Sequence, residues 1–150
     1  MPRSDEAQAF FHAVYAAVQE IPPGKVTSYG HIARLVGEPQ RPRQVGVCLK
    51  HLPNLDEWNR VHEDEAEVPP RFHHGNVPWQ RVVNAKGGIS PRSQPSATLN
   101  QATALEAEGV VVTRDALGEL SVDLKTYGWF PRILPSAAAR GEVADDSGSE

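Results

Sequence analysis

A single cysteine, Cys48, stands in the 150-residue chain, so no internal disulfide can form. A chain without such cross-links fits a reducing compartment. Long apolar runs are missing too: none approaches the roughly 20 residues that a membrane-spanning helix needs. Residues 1–20 mix charges into the apolar positions, which does not suit a secretory leader. The expectation is an intracellular protein, in the nucleus, the cytoplasm or both since no basic targeting run stands out, with no membrane contact. A net positive charge is also lacking. The formal total is −4, which argues against a simple polybasic nucleic-acid binder. The acidity is local, however. Segment 54–76 sets Asp56, Glu57, Glu63, Asp64, Glu65 and Glu67 against Arg60 and Arg71, and residues 133–150 set Glu142, Asp145, Asp146 and Glu150 against Arg140. The remainder carries +3, so a local anion-binding face is allowed.

The length suits one domain with a real core. Residues 1–132 are expected to form it, with 133–150, rich in Ala, Ser, Gly, Asp and Glu, as a disordered acidic tail. Phe10, Phe11, Val14, Tyr15, Val18 and Ile21 recur at helical spacing, and predict a helix over 5–20 that Asp5 can cap and "IPPGK" ends. A second helix is expected from Thr27 or Ser28 to Gly37, and a third from about Pro42 to Leu52. The third has Val45, Cys48, Leu49 and Leu52 on one face and Arg41, Arg43, Gln44, Gly46, Val47 and Lys50 on the other. Two helices joined by a tight turn, the second basic on its outer face, form a helix-turn-helix pattern, although a core-forming pair with a solvated face reads the same way.

Segment 53–76 is acidic and proline-rich, without apolar periodicity, and reads as a long surface loop. It contains His62, His73 and His74, whose spacing matches no standard metal pattern, so no metal and no cofactor are expected. "VPWQRVVN" reads as a short strand, "NAKGG" as a turn, "SATLNQATALEAEGV" as a helix ending at Gly109 with Leu99, Ala102, Ala104 and Leu105 inward, and "VVVTRDALGELSVDL" as a hairpin or wing. The expected fold class is mainly α with a small β element, a winged helix-turn-helix.

The stretch "VPWQRVVNAKGG" poses the functional question, because it contains no evident nucleophile, base or metal ligand. Together with "GKVTSYGHIARLVGEPQRPRQVGVCLK" it resembles the DNA-binding domain of the O6-alkylguanine-DNA alkyltransferase family, over about residues 7–52 and 77–127. That family's active-site motif reads Pro-Cys-His-Arg-Val. The same frame here is Pro78-Trp79-Gln80-Arg81-Val82, and this variant is similar to the non-catalytic, alkyltransferase-like branch. The chemistry agrees. Dealkylation needs a thiolate and an activating base. An indole nitrogen has its lone pair committed to the ring, and an amide is no base at neutral pH.

The resemblance implies roles one position at a time. Tyr29 falls on a tyrosine that presses on the phosphate of the target nucleotide and helps to rotate it. Arg43 falls on the finger that enters the base stack. Gly46 matches a small residue that lets the helix approach DNA, and Gln44 and Lys50 share that face. Val77, Pro78, Trp79 and Val82 are expected to shape a pocket for the flipped base, with Arg92 stacking at its mouth, although Pro91 precedes Arg92 where a polar residue would be expected. Arg81 is expected to make a structural ion pair or backbone bonds. The family's glutamate behind the catalytic histidine finds no counterpart in "LNQATALEAEG", and the acidic 53–76 insertion is expected to point away from DNA or to serve a protein partner. The implied protein is a monomeric, non-enzymatic sensor. It would bind O6-alkylguanine in duplex DNA through the minor groove and hand the lesion to nucleotide excision repair proteins. Two other readings stay open: a divergent transferase using Cys48, and a winged-helix regulator of undamaged DNA.

Overall fold

The computed structural model describes residues 5–61, 70–89 and 95–141. Helix α1 (Asp5–Gln19) buries Val14, Tyr15, Ala17 and Val18 along one stripe, as the apolar spacing requires. Asp5 and Glu6 share its first described turn, where carboxylates favour the helix dipole. A short strand, β1 (Thr27–Ser28), leads directly into α2 (Tyr29–Leu35). Ser28 caps that helix by accepting the His31 amide at 3.0 Å. Gly37, at φ +84°, turns the chain towards α3 (Pro42–Lys50) in a conformation that costs glycine little. Val45, Cys48 and Leu49 of α3 face inward, as the sequence pattern predicts.

The 53–76 insertion departs from its expected form. It contains a helix, α4 (Leu55–Val61), whose first turn is capped by Asn54 Oδ1 accepting the Glu57 amide at 3.1 Å. Its far end returns to the core, where Phe72 is buried against Tyr15. His62 lies outside the described residues. Among the described residues no group of three His, Cys, Asp or Glu could hold a metal, and no helix is long and apolar enough to cross a membrane.

"VPWQRVVN" is not a strand along its length. A 3-10 turn, Trp79–Arg81, precedes a two-residue strand, β2 (Val82–Val83), that runs parallel to β1 with Thr27 opposite Val82. Helix α5 (Pro95–Ala107) ends before Gly109, which sits at φ +89°. The predicted wing forms as β3 (Val112–Arg114) antiparallel to β4 (Leu120–Val122). Gly87 lies beneath it, at φ +86°, where any Cβ would strike the Val122 carbonyl. A short helix, α6 (Leu124–Tyr127), brings Gly128 beside Val26.

A helix forms within the segment expected to be a disordered tail. Helix α7 (Pro135–Ala139) buries Ala137 and docks on the end of α1, where the Glu20 carboxylate accepts both the Ser136 amide at 2.8 Å and its hydroxyl at 2.6 Å. The cap comes from 116 residues upstream, so no local pattern announces it. Residues 142–150 lie outside the described residues.

Two hydrophobic clusters result. One joins α1, α2 and α3 with Phe72, Val77 and Val82, and the other joins Val26, Val83, Ile89, Ala102, Leu105, Val110 and Val122. Adjacent strand residues point to opposite faces, so Val82 enters the first cluster and Val83 the second.

Candidate functional site

The turn that carries Trp79 is built by proline. Pro78 sits at φ −76° and ψ 67°, and the Trp79 amide bonds back to the Val77 carbonyl at 2.7 Å. That is an inverse γ-turn, and the pyrrolidine ring already holds φ near the value it requires. The chain then tightens into the 3-10 turn, with the Arg81 amide donating to the Pro78 carbonyl at 3.0 Å. Trp79 is left half-buried at the edge of the helical cluster, while Val77, expected to wall the pocket, is 1% exposed and belongs to the core. Val82 is likewise a core residue.

Everything after Trp79 is clamped from behind. Arg81 Nε and Nη2 each donate to Glu108 at 2.9 Å, and Arg81 Nη1 donates to the Ile21 carbonyl at 2.7 Å. Both side chains of this ion pair are only 14% exposed. Gln80 Nε2 donates to the same carboxylate at 2.8 Å, and so does the Gly24 amide at 3.0 Å. Burial alone would raise the Glu108 pKa. The hydrogen bonds from Arg81, Gly24 and Gln80, with the Arg81 charge, outweigh it and hold the carboxyl below its ordinary value. The side chain of Gln101, fully buried on α5, adds two bonds, to the Gln80 carbonyl at 3.1 Å and the Val82 carbonyl at 3.0 Å.

The ion pair expected for Arg81 is therefore present, but the expectation that no glutamate supports the second motif position is overturned. Glu108, within "LNQATALEAEG", holds Gln80. Sequence inspection missed it because Glu106 and Glu108 look alike in one dimension. Gln101 was missed because a fully buried glutamine breaks the apolar pattern by which core positions are recognised. Both carry polar groups that only the folded chain brings together.

The helix-turn-helix supplies the second part of the site. Arg43, Gln44 and Lys50 are exposed on α3, and Val47 between them is 38% exposed. Tyr29, partly buried at the start of α2, lies against Gly46, where an added Cβ would meet its ring at 3.9 Å, an ordinary contact. The fold thus has room for alanine at this position, yet the helix carries glycine, which costs it roughly 1 kcal/mol. Arg92 lies outside the described residues. Cys48 is fully buried, and its carbonyl accepts the Tyr15 hydroxyl at 2.6 Å.

The insertion enters the site as well. His74 meets Trp79 edge to face, with ring centroids 5.8 Å apart and planes at 69°. A separate cavity of about 580 Å³ opens between the wing and α5, bounded by Asn84, Ile89, Leu99, Arg114, Leu117 and Leu120, and none of the predicted site residues lines its described part.

Comparisons with known proteins give the family. The family model for the DNA-binding domain of 6-O-methylguanine DNA methyltransferase matches residues 9–110. Alkyltransferase-like protein 1 of Schizosaccharomyces pombe is 42% identical over 129 residues, covering 86% of this chain and 99% of its own. The DNA base-flipping protein of Escherichia coli is 35% identical over 127 residues, covering 85% and 79%. A crystal structure of S. pombe Atl1 in complex with damaged DNA containing O6-carboxymethylguanine aligns with a TM-score of 0.64 at 41% identity, over 87% of this chain and 100% of that one. The chain thus belongs to the 6-O-methylguanine DNA methyltransferase DNA-binding-domain family.

Proposed function

We propose that this protein is a non-enzymatic sensor of O6-alkylguanine in duplex DNA. The observation that carries the reading is the turn Pro78–Val82. It is braced by the Arg81–Glu108 pair and Gln101, yet presents an indole where alkyl transfer needs a thiolate and an amide where it needs a base. In this reading α3 docks in the minor groove, and its base-independent contacts suit a reader of damage rather than of sequence. Tyr29 presses on the phosphate of the target nucleotide, and Arg43 fills the gap left in the stack. Gln44 and Lys50 contact the backbone, and the glycine at 46 buys close approach. The flipped base then rests beside Pro78 and Trp79, with Arg92 stacking on it, an arrangement that favours flat, alkyl-bearing purines. The DNA-bound and base-flipping relatives support this course of events. The protein acts as a monomer inside the cell, and the bent, flipped complex recruits nucleotide excision repair proteins.

The burial of Cys48 speaks against a transferase that uses it. One titration tests the reading, with unmodified and O6-methylguanine duplexes at fixed salt, followed by mass spectrometry of the recovered protein. Tighter binding of the modified duplex with no change in mass is expected. Equal affinities, or an alkyl mass on the protein, would sink it. Arg43→Ala is expected to weaken lesion binding by about 1–3 kcal/mol, the loss of one good contact, with the fold intact. Binding as tight as wild type would remove Arg43 from the flipping step.

A further inference from the structure

The last residues of the insertion form a heavily bonded turn. Asn76 Oδ1 accepts the His73 amide at 2.9 Å, and its Nδ2 donates to the Arg71 carbonyl at 2.9 Å. Its own carbonyl accepts Gln19 Nε2 of α1 at 3.0 Å. The His74 amide donates to the Pro53 carbonyl at 2.9 Å, which ties the turn to the end of the helix-turn-helix. Phe72 is buried between Tyr15 and His12, with ring centroids 5.4 Å and 5.5 Å away, and anchors the turn in the core. A solvated spacer would need none of this. The turn holds one exposed side chain, His74, edge to face with the half-buried indole of Trp79.

The backbone of residues 80–82 is fixed from behind by Arg81, Glu108 and Gln101. The indole packs on one side against the helical cluster, and His74 meets it with ring centroids 5.8 Å apart. We propose that His74 is a positioning residue that pins the Trp79 indole and so sets the size of the O6 substituent the site accepts. Pinned, the ring offers one fixed wall, to which a small alkyl group fits closely. Without that contact the ring has room to shift on the helical cluster and admit larger groups, while losing the pre-organised contact with small ones. The inference rests on the sensor reading above. It gives the acidic insertion a part in recognition through its final turn.

The test uses the full chain, His74→Ala and His74→Phe, titrated with three duplexes: unmodified, O6-methylguanine and O6-benzylguanine. His74→Ala is expected to weaken O6-methylguanine binding about three- to tenfold, the scale of one aromatic edge contact. It is expected to weaken O6-benzylguanine binding less or not at all, so that the ratio shifts towards the bulky lesion. His74→Phe, which keeps a ring at that place, restores the wild-type ratio. An unchanged ratio in His74→Ala overturns the role of His74 while leaving the sensor reading intact. If wild type itself fails to distinguish modified from unmodified duplex, the sensor reading falls and the inference falls with it. Thermal unfolding controls for fold, and because His74 is exposed, no shift is expected.

Discussion

The two hydrophobic clusters differ in composition as well as position. The helical cluster is rich in aromatic rings, with Tyr15 and Phe72 inside it and Phe10, Phe11, Tyr29, Trp79 and Trp129 against its surface. The wing cluster is almost wholly aliphatic, with Tyr127, among the described residues, as the one ring packed on it. Tyr29 and Trp79, the recognition side chains of the proposed function, rest on the aromatic side, and α3 is rooted there through Val45, Cys48 and Leu49. Among the described residues the wing cluster meets the site through the polar seam of Arg81, Glu108 and Gln101 and through the Val82–Val83 strand. The difference teaches that one half of the molecule touches DNA in the proposed function while the other half holds the first in shape. Breaking the seam should therefore damage both halves, and altering the outer face of α3 should damage binding alone.

The largest effect is expected for Glu108→Ala. It leaves a nearly buried guanidinium without its partner, a change that costs about 3–5 kcal/mol when one member of a buried pair is removed. Chemical unfolding should show that loss, and a variant as stable as wild type would show that the seam does not couple the halves. Gln101→Leu is expected to cost about 1–3 kcal/mol, because two carbonyls next to the pocket turn lose their donor. Its lesion binding should fall by more than its stability alone explains; binding that tracks only the folded fraction would mean that the brace does not shape the site.

Gly46→Ala separates the two halves more sharply. Removing a helical glycine is expected to stabilise the fold by about 0.5–1 kcal/mol, since a Cβ has room beside Tyr29, while binding to DNA weakens. A variant that gains stability and keeps full affinity would end the close-approach assignment. The smallest effect concerns pH, and it has two windows. Burial is the main cause that lowers the His31 pKa below its ordinary 6.5, against the raising effect of its 2.7 Å hydrogen bond to the Pro131 carbonyl and with help from Arg34. A lowered folded value means that the unfolded chain binds the proton more readily, so stability is complete above about pH 6.5 and falls as the pH drops through the folded value. Glu108, also lowered, contributes fully above its ordinary 4.5 and is lost in more acid solution. Unfolding midpoints followed across both windows should lose the first decline in His31→Gln and the second in Glu108→Gln. A His31→Gln profile that declines like wild type would remove His31 from the account.

The helices of the aromatic half were legible because their apolar residues repeat at 3.6 positions, and Ser28, Gly37 and Pro42 mark their ends. The hairpin was legible from its alternation and its turn. The cap of α4 was in plain view, Asn54 followed by Asp56 and Glu57 in the first turn, but the surrounding prolines and carboxylates hid it. Helix α7 owes its cap to Glu20, too far away in sequence to be read. The pocket motif was legible as a pattern of residue types. Its shape was not, because valines around Pro78 suggest a strand while the ring of Pro78 itself selects the γ-turn. The seam was the least legible part, since its carboxylate is one of two glutamates separated by a single residue.

The span of the Glu108 contacts carries one more consequence. Gly24 and Glu108 are 84 residues apart, and Arg81 and Ile21 are 60 apart, whereas α2 and α3 meet across a short turn. Contacts between near neighbours close quickly, and those across long loops form late. During synthesis the residues of the helix-turn-helix are complete well before Glu108 has left the ribosome. A growing chain thus holds the helix proposed to dock on DNA before it holds the braced turn at Trp79, which waits for Glu108 to join Gly24 and Arg81.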